Sequence, residues 1–306
     1  MELKDRLLRS WMFVPGDRQR MIDKALTLNV DAIMMDIEDG VAPAEKENAR
    51  VQIAGALDQV AERLKADPNY KTPARFVRCN QAGSERMVQD FKAAVRPGIE
   101  GLVISKVDTV DQVRVVEDEL GRAEVAQGVP GGVVKLLIAI ESPIGLFNAY
   151  AIATSSPRII GLLFGAEDFT REMGLPMRRE GEASDMLYAR SHLATVCAAA
   201  HIQAVDGVWV DMNDPEGLKR FAIQARRLGM TAISVIHPNQ IDIANAAFTP
   251  AKEDIDYARE VLKAFDEARA KGQGAVAFRG QLLDFPIVDR ARQTMTLAKT
   301  LGVVTE

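Results

Sequence analysis

Ile138-Ala139-Ile140-Glu141-Ser142-Pro143-Ile144-Gly145 sets the pattern of this chain, because a short apolar run ends there in an acid beside turn residues. Leu162-Leu163-Phe164-Gly165-Ala166-Glu167-Asp168 repeats the pattern. Apolar runs of this length, bounded by Gly and Pro, are typical of buried strands, so each acid is expected where a strand leaves the core. Burying an unpaired charge is costly, and two acids on neighbouring strand ends could share a hard cation such as Mg²⁺. We therefore predict that Glu141 and Asp168 are metal ligands.

The alternation of apolar runs and helical patterns continues along most of the chain. Apolar runs with the length of strands occur at 11–14, 31–36, 75–80, 101–106, 133–141, 159–165, 204–210 and 231–236. Helical patterns follow at 17–28, 44–65, 84–95, 110–124, 184–200 and 215–228, and Pro143 opens another. This alternation predicts parallel strands with crossover helices. Eight such units in about 250 residues are the size of a (β/α)8 TIM barrel.

An open, doubly wound sheet is the alternative α/β architecture. It would need a Gly-rich first turn and a ribose-binding acid, whereas the first turn here is Val14-Pro15-Gly16-Asp17. We predict a barrel domain over residues 1–250, interrupted at 170–182 by a polar, Gly- and Arg-rich insert. Residues 251–306 are predicted to form a helical C-terminal extension, with helices at 251–271 and 287–301 around a glycine-punctuated segment. This extension is small for an independent domain, so we expect it to pack on the barrel or on a neighbouring subunit.

Composition limits the functional classes. The 306 residues carry a formal charge of −5, with 47% hydrophobic and 26% charged residues, which is ordinary for a globular protein. The acidic balance argues against a nucleic-acid partner, and no stretch approaches the roughly 18 apolar residues of a membrane span. Cys79 and Cys197 are too few for a disulfide framework or a cysteine-rich zinc site. The first six residues lack an apolar signal core, so we expect a soluble, cytoplasmic protein.

The carboxyl ends of the predicted strands carry most of the reactive side chains, and barrel active sites lie at these ends. The residues placed there are Glu38, Asp39, Arg78, Asn80, Lys106, Glu141, Asp168, Asp211 and His237. Any single acid after a strand is often a helix cap or a loop residue. Ser142 could cap the helix that Pro143 opens, which would leave Glu141 free.

Arg78 and Asp39 are predicted to be catalytic, and Arg78 and Glu141 are also expected to contact substrate. The planar guanidinium of Arg78 suits a carboxylate or an enolate oxygen, although an ion pair with Glu38 or Asp39 would explain it too. Glu167 stands beside Asp168, so the second metal ligand is ambiguous between them. Three basic residues near the first turn could bind phosphates or could form a solvated helix face. They are Arg18, Arg20 and Lys24.

Six motifs occur together in one order and spacing. They are Phe13-Val14-Pro15-Gly16-Asp17-Arg18, Asp36-Ile37-Glu38-Asp39-Gly40-Val41, Val77-Arg78-Cys79-Asn80, Ile140-Glu141-Ser142-Pro143, Phe164-Gly165-Ala166-Glu167-Asp168 and His237-Pro238-Asn239-Gln240. With these motifs the chain resembles the citrate lyase β-subunit-like branch of the HpcH/HpaI aldolase family, over nearly its whole length. That branch includes citryl-CoA, malyl-CoA and citramalyl-CoA lyases. Cys79 departs from the usual aliphatic residue, and Glu167 from the usual smaller residue or Asp.

The resemblance implies a (β/α)8 barrel with Mg²⁺ held at Glu141 and Asp168, where Mn²⁺ could substitute. It implies that Arg78 binds the keto acid, and that Arg18, Arg20 and Lys24 lie near the phosphates of a coenzyme A (CoA) thioester. Gly280-Gln281-Leu282-Leu283-Asp284-Phe285-Pro286 looks like the C-terminal motif of the longer members. In those members the matching aspartate acts as acid/base in a neighbouring subunit's site. The resemblance thus makes Asp284 catalytic in trans and implies a homotrimer or homohexamer.

The function expected on this basis is a carbon–carbon lyase of the oxo-acid-lyase type. It would cleave a β-hydroxyacyl-CoA of the citramalyl-, malyl- or citryl-CoA type into a keto acid and an acyl-CoA. Three alternatives stay open: a malyl-CoA thioesterase, a CoA-independent pyruvate-type aldolase, and a non-catalytic subunit of a larger lyase complex. The sequence does not select among the acyl-CoA substrates, since one methyl group changes discrimination by only about 1–3 kcal/mol.

Overall fold

The computed structural model describes residues 6–176, 181, 183–270, 272 and 275–304, with only the backbone at Gln281. In this part of the chain, eight parallel strands pair in sequence order and close into a barrel, with the last strand beside the first. They are β1 Ser10–Pro15, β2 Ala32–Asp36, β3 Ala74–Cys79, β4 Gly101–Ile104, β5 Lys135–Ile140, β6 Ile159–Phe164, β7 Gln203–Val208 and β8 Ala232–Val235. The predicted (β/α)8 fold is confirmed.

Helices follow the strands, and the sequence predicts all of them except the two short ones at Ala166–Glu172 and Ile241–Ala247. The helices are α1 Gln19–Ala25, α2 Lys46–Ala66, α3 Glu85–Ala94, α4 Val110–Gln127, α5 Pro143–Ala153, α6 Ala166–Glu172, α7 Leu187–Ala200, α8 Pro215–Leu228 and α9 Ile241–Ala247. Short 3₁₀ turns precede α2, α7 and α9, at Pro43–Glu45, Ser184–Met186 and Pro238–Gln240. The described helices include none that is long and apolar enough to span a bilayer.

The connection after β6 differs from the sequence prediction at its start. The polar insert predicted at 170–182 begins inside α6, because Phe169 is buried and packs its ring 5.1 Å from that of Phe164. That contact continues the helix beyond Asp168. Residues 177–180 and 182 of the predicted insert lie outside the described residues.

Alternate residues of the strands fill the inside of the barrel. Trp11 and Phe76 are the largest side chains of this interior cluster, and their rings meet edge to face at 4.7 Å. Gly101 on β4 provides the space for Phe76, since a Cβ at that position would lie 2.2 Å from the Phe76 ring. A packed interior of this kind leaves the carboxyl ends of the strands as the place for a ligand.

Residues 246–306 form a second compact unit, separate from the unit of residues 1–245. It contains α10 Lys252–Ala270, an antiparallel hairpin of β9 Val276–Phe278 and β10 Gln281–Leu283, and α11 Phe285–Thr300. Its own core comprises Ala258, Val261, Phe265, Leu283, Val288 and Ala291.

The hairpin was not predicted from the sequence. Its strands have three residues each, which is too short for an alternating pattern to be visible. Arg279 and Gly280 link them with φ values of 49° and 78°, and two positive φ values in a row are typical of a type I′ hairpin turn.

The packing around Phe76 gives a stability test with a matched control. We expect Gly101→Ala to lower the free energy of unfolding by about 1–3 kcal/mol, because the added methyl group overpacks the barrel interior. Gly55→Ala adds the same methyl group on α2, where nothing lies within 4 Å. It should raise stability by about 0.5–1 kcal/mol through helix propensity. Urea unfolding of both variants measures the difference, and equal effects would contradict this account of the core.

Candidate active site

A cavity of about 350 Å³ opens at the carboxyl ends of the barrel strands. Its wall comes from β1, β2, β3, β6, β7 and β8 and from the turns that follow β2, β5 and β6. The residues with side chains most relevant to chemistry are Phe13, Asp36, Arg78, Glu141, Glu167, Asp168 and Ser234. The structure thus brings Arg78, Glu141 and Asp168 together, as the sequence predicts.

Glu141 follows β5 and is almost fully buried, with 5% of its surface exposed. Its Oε2 atom has no hydrogen-bond partner among the described residues. Ser142 caps α5 by accepting the Gly145 N–H at 2.9 Å, so Glu141 is not needed for capping. Burial raises the pKa of Glu141 to about 8, and the charges of Glu38 and Asp168 act in the same direction. A buried acid without a partner is costly for folding, which points to a ligand.

Gly165 determines how closely the β6 turn approaches Glu141. A Cβ at position 165 would lie 2.3 Å from Glu141 Cγ, so a larger residue could not occupy this turn unless Glu141 moved. Asp168 follows in the first turn of α6, half-buried, with its Oδ1 2.6 Å from Arg171 Nη2. Glu167 is more exposed than Asp168, although both line the cavity. The greater burial of Asp168 favours it as the second metal ligand.

Arg78 projects from β3 and is held by a buried acid on the neighbouring strand. Its Nε and Nη2 atoms donate to Asp36 Oδ1 and Oδ2 at 2.8 and 2.6 Å. The guanidinium carbon also lies 4.8 Å from the centre of the Phe13 ring, so the guanidinium packs against the face of this ring. Burial alone would lower the pKa of Arg78, but the hydrogen bonds and charge of Asp36 outweigh it and raise that pKa.

The sequence-based prediction that Arg78 forms an ion pair with Glu38 or Asp39 is therefore only partly right. Arg78 Nη1 lies 3.4 Å from Glu38 Oε2, but its main partner is Asp36. Asp39 pairs with Lys106 instead, at 2.7 Å, and its side chain is 63% exposed. Burial acts to raise the pKa of Asp39, but the hydrogen bond and charge of Lys106, with smaller contributions from Glu38 and Arg78, together outweigh it, so that pKa is lowered. Asp39 is not among the described residues that line the cavity.

Lys106 is not simply a solvated lysine, because it forms ion pairs with two acids. Its ammonium group lies 2.5 Å from Glu38 Oε1 and joins Glu38 to Asp39. Lys46 holds the same turn from the buried side, because its Nζ donates to the carbonyls of Ile37 and Glu38 at 2.6 and 2.7 Å. The turn after β2 is thus fixed by two cations, one at each side.

Four other predicted site residues are not among the described residues that line the cavity. Arg18, Arg20 and Lys24 are exposed on or just before α1, which directly follows the cavity-lining end of β1. Asp284 is an exposed residue of the second unit, and its Oδ1 accepts the Ile287 N–H at 3.3 Å as the cap of α11. Their assigned roles stay predictions.

The sequence reasoning missed Asp36 and Ser234 as residues of the site. Asp36 was visible as the acid that ends an apolar run, but nothing in the pattern distinguished it from Glu38 and Asp39. Ser234 stands inside the predicted eighth strand, where a lone serine gives no signal. Both became apparent only when the strands closed into one ring.

The donor set of the cavity fits a hard divalent cation. Glu141 and Asp168 supply carboxylate oxygens, which suit Mg²⁺, an ion that usually keeps several water ligands and takes one or two carboxylates. The described residues contain no cluster of three or more His, Cys, Asp and Glu side chains placed to hold a metal. This finding is compatible with a magnesium site of two carboxylates that substrate and water complete.

Comparison with known proteins shows the family of the chain. A family model described as HpcH/HpaI aldolase/citrate lyase matches residues 9–238. The chain belongs to this family. The citrate lyase subunit beta of Escherichia coli (strain K12) is 37% identical over 300 residues, which cover 98% of this chain and 96% of that protein. The HpcH/HpaI family membership confirms the predicted resemblance and makes the chain a carbon–carbon lyase.

Two further similar proteins are described by the molecules that they act on or bind. The mitochondrial citramalyl-CoA lyase of Mus musculus is 31% identical over 303 residues, covering 96% of this chain and 86% of that protein. The structure of protein CitE from Mycobacterium tuberculosis in complex with magnesium, acetoacetate and coenzyme A has a TM-score of 0.76 and 27% identity. It covers 97% of this chain and 100% of the CitE chain. The proteins that this chain is similar to thus include a CoA-ester lyase and a protein that binds magnesium and coenzyme A.

The Asp36–Arg78 pair provides a test of the site with a matched control. We expect Asp36→Asn to lower kcat/KM for carbon–carbon cleavage by about 100-fold, because a misplaced guanidinium costs roughly that much. Asp31→Asn weakens a similar pair with Arg9, whose Nε and Nη2 lie 2.7 and 2.9 Å from the Asp31 carboxylate at the opposite end of the barrel. It should alter stability and leave kcat/KM within about twofold. Equal losses of activity in both variants would contradict a specific role for Asp36.

Proposed function

We propose that the protein is a Mg²⁺-dependent lyase that cleaves a β-hydroxyacyl-CoA thioester into a keto acid and an acyl-CoA. The substrate is of the citramalyl-, malyl- or citryl-CoA type. The observation that carries this proposal is the buried Oε2 of Glu141, which lacks a partner among the described residues in a cavity shared with Asp168 and Arg78. We place this activity in the cytoplasm, in keeping with the two free, buried cysteines.

Glu141 and Asp168 are the residues that would hold the metal. A bound divalent cation supplies Lewis acidity, which lowers the pKa of a coordinated hydroxyl group and offsets carboxylate charge. The residues of the chain then have to orient the thioester, exclude water and move protons.

Arg78 would bind the keto-acid portion. Its two bonds to Asp36 use two of the five guanidinium N–H groups, so other N–H groups can donate to a substrate oxygen. Asp36 and the Phe13 ring fix the plane of the guanidinium before substrate arrives. A preorganised donor of this kind stabilises charge that develops on an oxygen during cleavage.

The cleavage requires one proton to leave and another to arrive. The hydroxyl of the thioester loses its proton, its oxygen becomes the keto carbonyl, and the bond between the α and β carbons breaks. The bonding pair passes to the α carbon as an acyl-CoA enolate, which then takes up a proton. We assign this proton transfer to Asp284 of a neighbouring subunit and retain Asp39 as a second catalytic candidate. The pairing of Asp39 with Lys106 lowers the pKa of Asp39, which makes it a weaker base than an unpaired aspartate.

Arg18, Arg20 and Lys24 would bind the phosphates of CoA. All three are exposed near α1, close in sequence to Phe13, Val14 and Pro15 at the cavity. Arg18 Nε lies 3.3 Å from Asp17 Oδ2, which leaves most of its N–H groups available to a phosphate.

A product assay tests the reaction class. We expect purified protein with Mg²⁺ to convert at least one of malyl-CoA, citramalyl-CoA and citryl-CoA to a keto acid and an acyl-CoA. EDTA and Glu141→Gln should each reduce kcat by at least about 100-fold, since the carboxylate is the buried metal ligand. Glu172→Gln serves as the control, because Glu172 is an exposed acid at the end of α6 and is not among the described residues that line the cavity.

Each product pattern has a distinct meaning. Free CoA with the intact hydroxy acid would replace the lyase by a thioesterase. Cleavage of a free hydroxy acid without CoA would indicate a pyruvate-type aldolase. Absence of turnover with folded protein, and its appearance only with added partner chains, would indicate a subunit of a larger complex.

Complementation between subunits tests the role of Asp284 and the homotrimer or homohexamer that it requires. Glu141→Gln and Asp284→Asn should each be inactive alone. Co-expressed, they should recover roughly a quarter of wild-type activity, because mixed oligomers contain sites with both native residues. Asp289→Asn, an exposed acid on the same helix, is the control for Asp284. Absence of recovery in confirmed mixed oligomers would place Asp284 outside a shared site.

A further inference from the structure

A buried ion pair joins α7 to β7, outside the cavity. Arg190 and Asp206 are both fully buried, and the Arg190 Nε and Nη2 atoms donate to Asp206 Oδ2 at 2.9 and 2.7 Å. Arg190 also donates to Gln224 on α8, and its guanidinium carbon lies 4.5 Å from the centre of the Phe221 ring. Removing two charges from water costs about as much as their attraction returns, so stability alone does not explain such a pair.

The strand that carries Asp206 contains a bulge directly after it. Asp206 pairs with Ile233 of β8, and Val208 pairs with Ser234, the next residue of β8, so Gly207 is an extra residue in β7. The extra residue of a bulge is left out of the ladder, and its buried N–H needs another acceptor. Asp206 Oδ1 accepts the Gly207 N–H at 2.9 Å, while Oδ2 holds the ion pair. The carboxylate of Asp206 thus joins the ion pair to the bulge.

The bulge brings the backbone of β7 against the turn that carries Asp168. Gly207 lines the cavity, and a Cβ at this position would lie 3.1 Å from the Ala166 Cβ. Ala166 begins α6, and Asp168 stands two residues further on, in the same helical turn. Gly165, the residue before α6, packs against Glu141. The start of α6 therefore contacts both the bulge of β7 and Glu141.

The proposed metal site depends on how far apart the carboxylates of Glu141 and Asp168 lie. Mg²⁺ requires oxygen ligands at about 2.0–2.1 Å in near-ideal octahedral geometry. A displacement of α6 by a few tenths of an ångström would therefore lower the affinity of the two carboxylates for the ion. The contact between Gly207 and Ala166 opposes such a displacement toward β7.

We propose that Asp206 is a positioning residue for the metal site. Arg190 holds its carboxylate, which fixes the bulge at Gly207. The bulge in turn fixes Asp168 at the distance from Glu141 that a divalent cation needs. Asp206 acts through the bulge and α6, and it touches neither the ion nor the substrate. The proposal rests on the proposed function, because it assumes that Glu141 and Asp168 hold the metal.

Glu124 provides a matched control elsewhere in the barrel. It is buried, it accepts from both terminal nitrogens of Arg158 at 2.7 Å, and it accepts the Gly132 N–H at 3.2 Å. Arg158 stands just before β6, at the end of the barrel opposite the cavity. The Glu124 pair thus resembles the Asp206 pair in burial and bonding, but it lies far from the metal site.

Metal binding to the full-length protein tests the proposal. Free Mn²⁺ gives an electron paramagnetic resonance signal that is lost on binding, and competition with Mg²⁺ then gives the dissociation constant for Mg²⁺. We expect Asp206→Asn to raise this constant by about tenfold, a loss typical of changes behind a metal ligand. The NH₂ group of an amide is a donor, so Asn cannot accept from both Arg190 and the Gly207 N–H. Glu124→Gln should leave the constant within about twofold.

Gly207→Ala tests the same link without leaving Arg190 as a buried, unpaired charge, which could unfold the protein. The added Cβ would displace Ala166, so we again expect about tenfold weaker Mg²⁺ binding. Gly161→Ala is its control, because a Cβ there would lie 2.8 Å from the Gln203 carbonyl oxygen, and Gly161 is not among the described residues that line the cavity. It should leave Mg²⁺ binding within about twofold. Circular dichroism gives, for each variant, a temperature at which it is folded.

The outcomes separate this proposal from the proposed function. Mg²⁺ binding that Glu141→Gln abolishes, and that Asp206→Asn and Gly207→Ala weaken more than their controls do, would support the positioning role. Binding that Glu141→Gln abolishes but that folded Asp206→Asn or Gly207→Ala leaves unchanged would overturn the positioning role and leave the metal site in place. Equal weakening in variants and controls would overturn it too, because lost stability would then explain the effect. Absence of Mg²⁺ binding by the wild-type protein would overturn the metal site of the proposed function, and the positioning role with it.

Discussion

At the rim of the barrel the carboxylate of Asp36 accepts two hydrogen bonds from Arg78 and one each from the backbone N–H groups of Glu38 and Gly40. This one side chain orients the guanidinium and also shapes the turn after β2. Glu38 is then placed to accept from Lys106. Much of the polar rim therefore depends on one buried aspartate, whose bonds are charge-assisted and stronger than neutral ones.

Glu141 differs from Asp36, because the structure leaves this buried acid incompletely paired. Gly165 allows the turn after β6 to approach it, and burial, together with the charges of the nearby acids, raises the pKa of Glu141. Such a group lowers the stability of the protein, and functional sites are where that cost is commonly found. The site thus combines a doubly hydrogen-bonded ion pair, Asp36 with Arg78, and an acid, Glu141, with one oxygen that lacks a partner among the described residues. The first provides rigidity, and the second provides a place for a cation.

The sequence predicted most of the elements but not all of their ends. The long periodic segments became helices within a few residues of the predicted limits, as at Lys252–Ala270. The errors occurred where a tertiary contact decided the local structure. Phe169 extended α6 into the predicted insert by packing on Phe164, and the hairpin around Gly280 was too short to produce a pattern. Pairwise roles were also hidden, since the sequence suggested Glu38 or Asp39 as the partner of Arg78, whereas the main partner is Asp36.

The sequence by itself determined the barrel, the position of the reactive residues at strand ends and the family, because periodicity and motif order are local or linear properties. The tertiary structure decided which acid holds Arg78, which carboxylate stays unpaired and which side chains line the cavity. These depend on distances between strands that are far apart in the chain. Ring closure brings β3, β5 and β8 around one cavity, and no local pattern encodes that proximity.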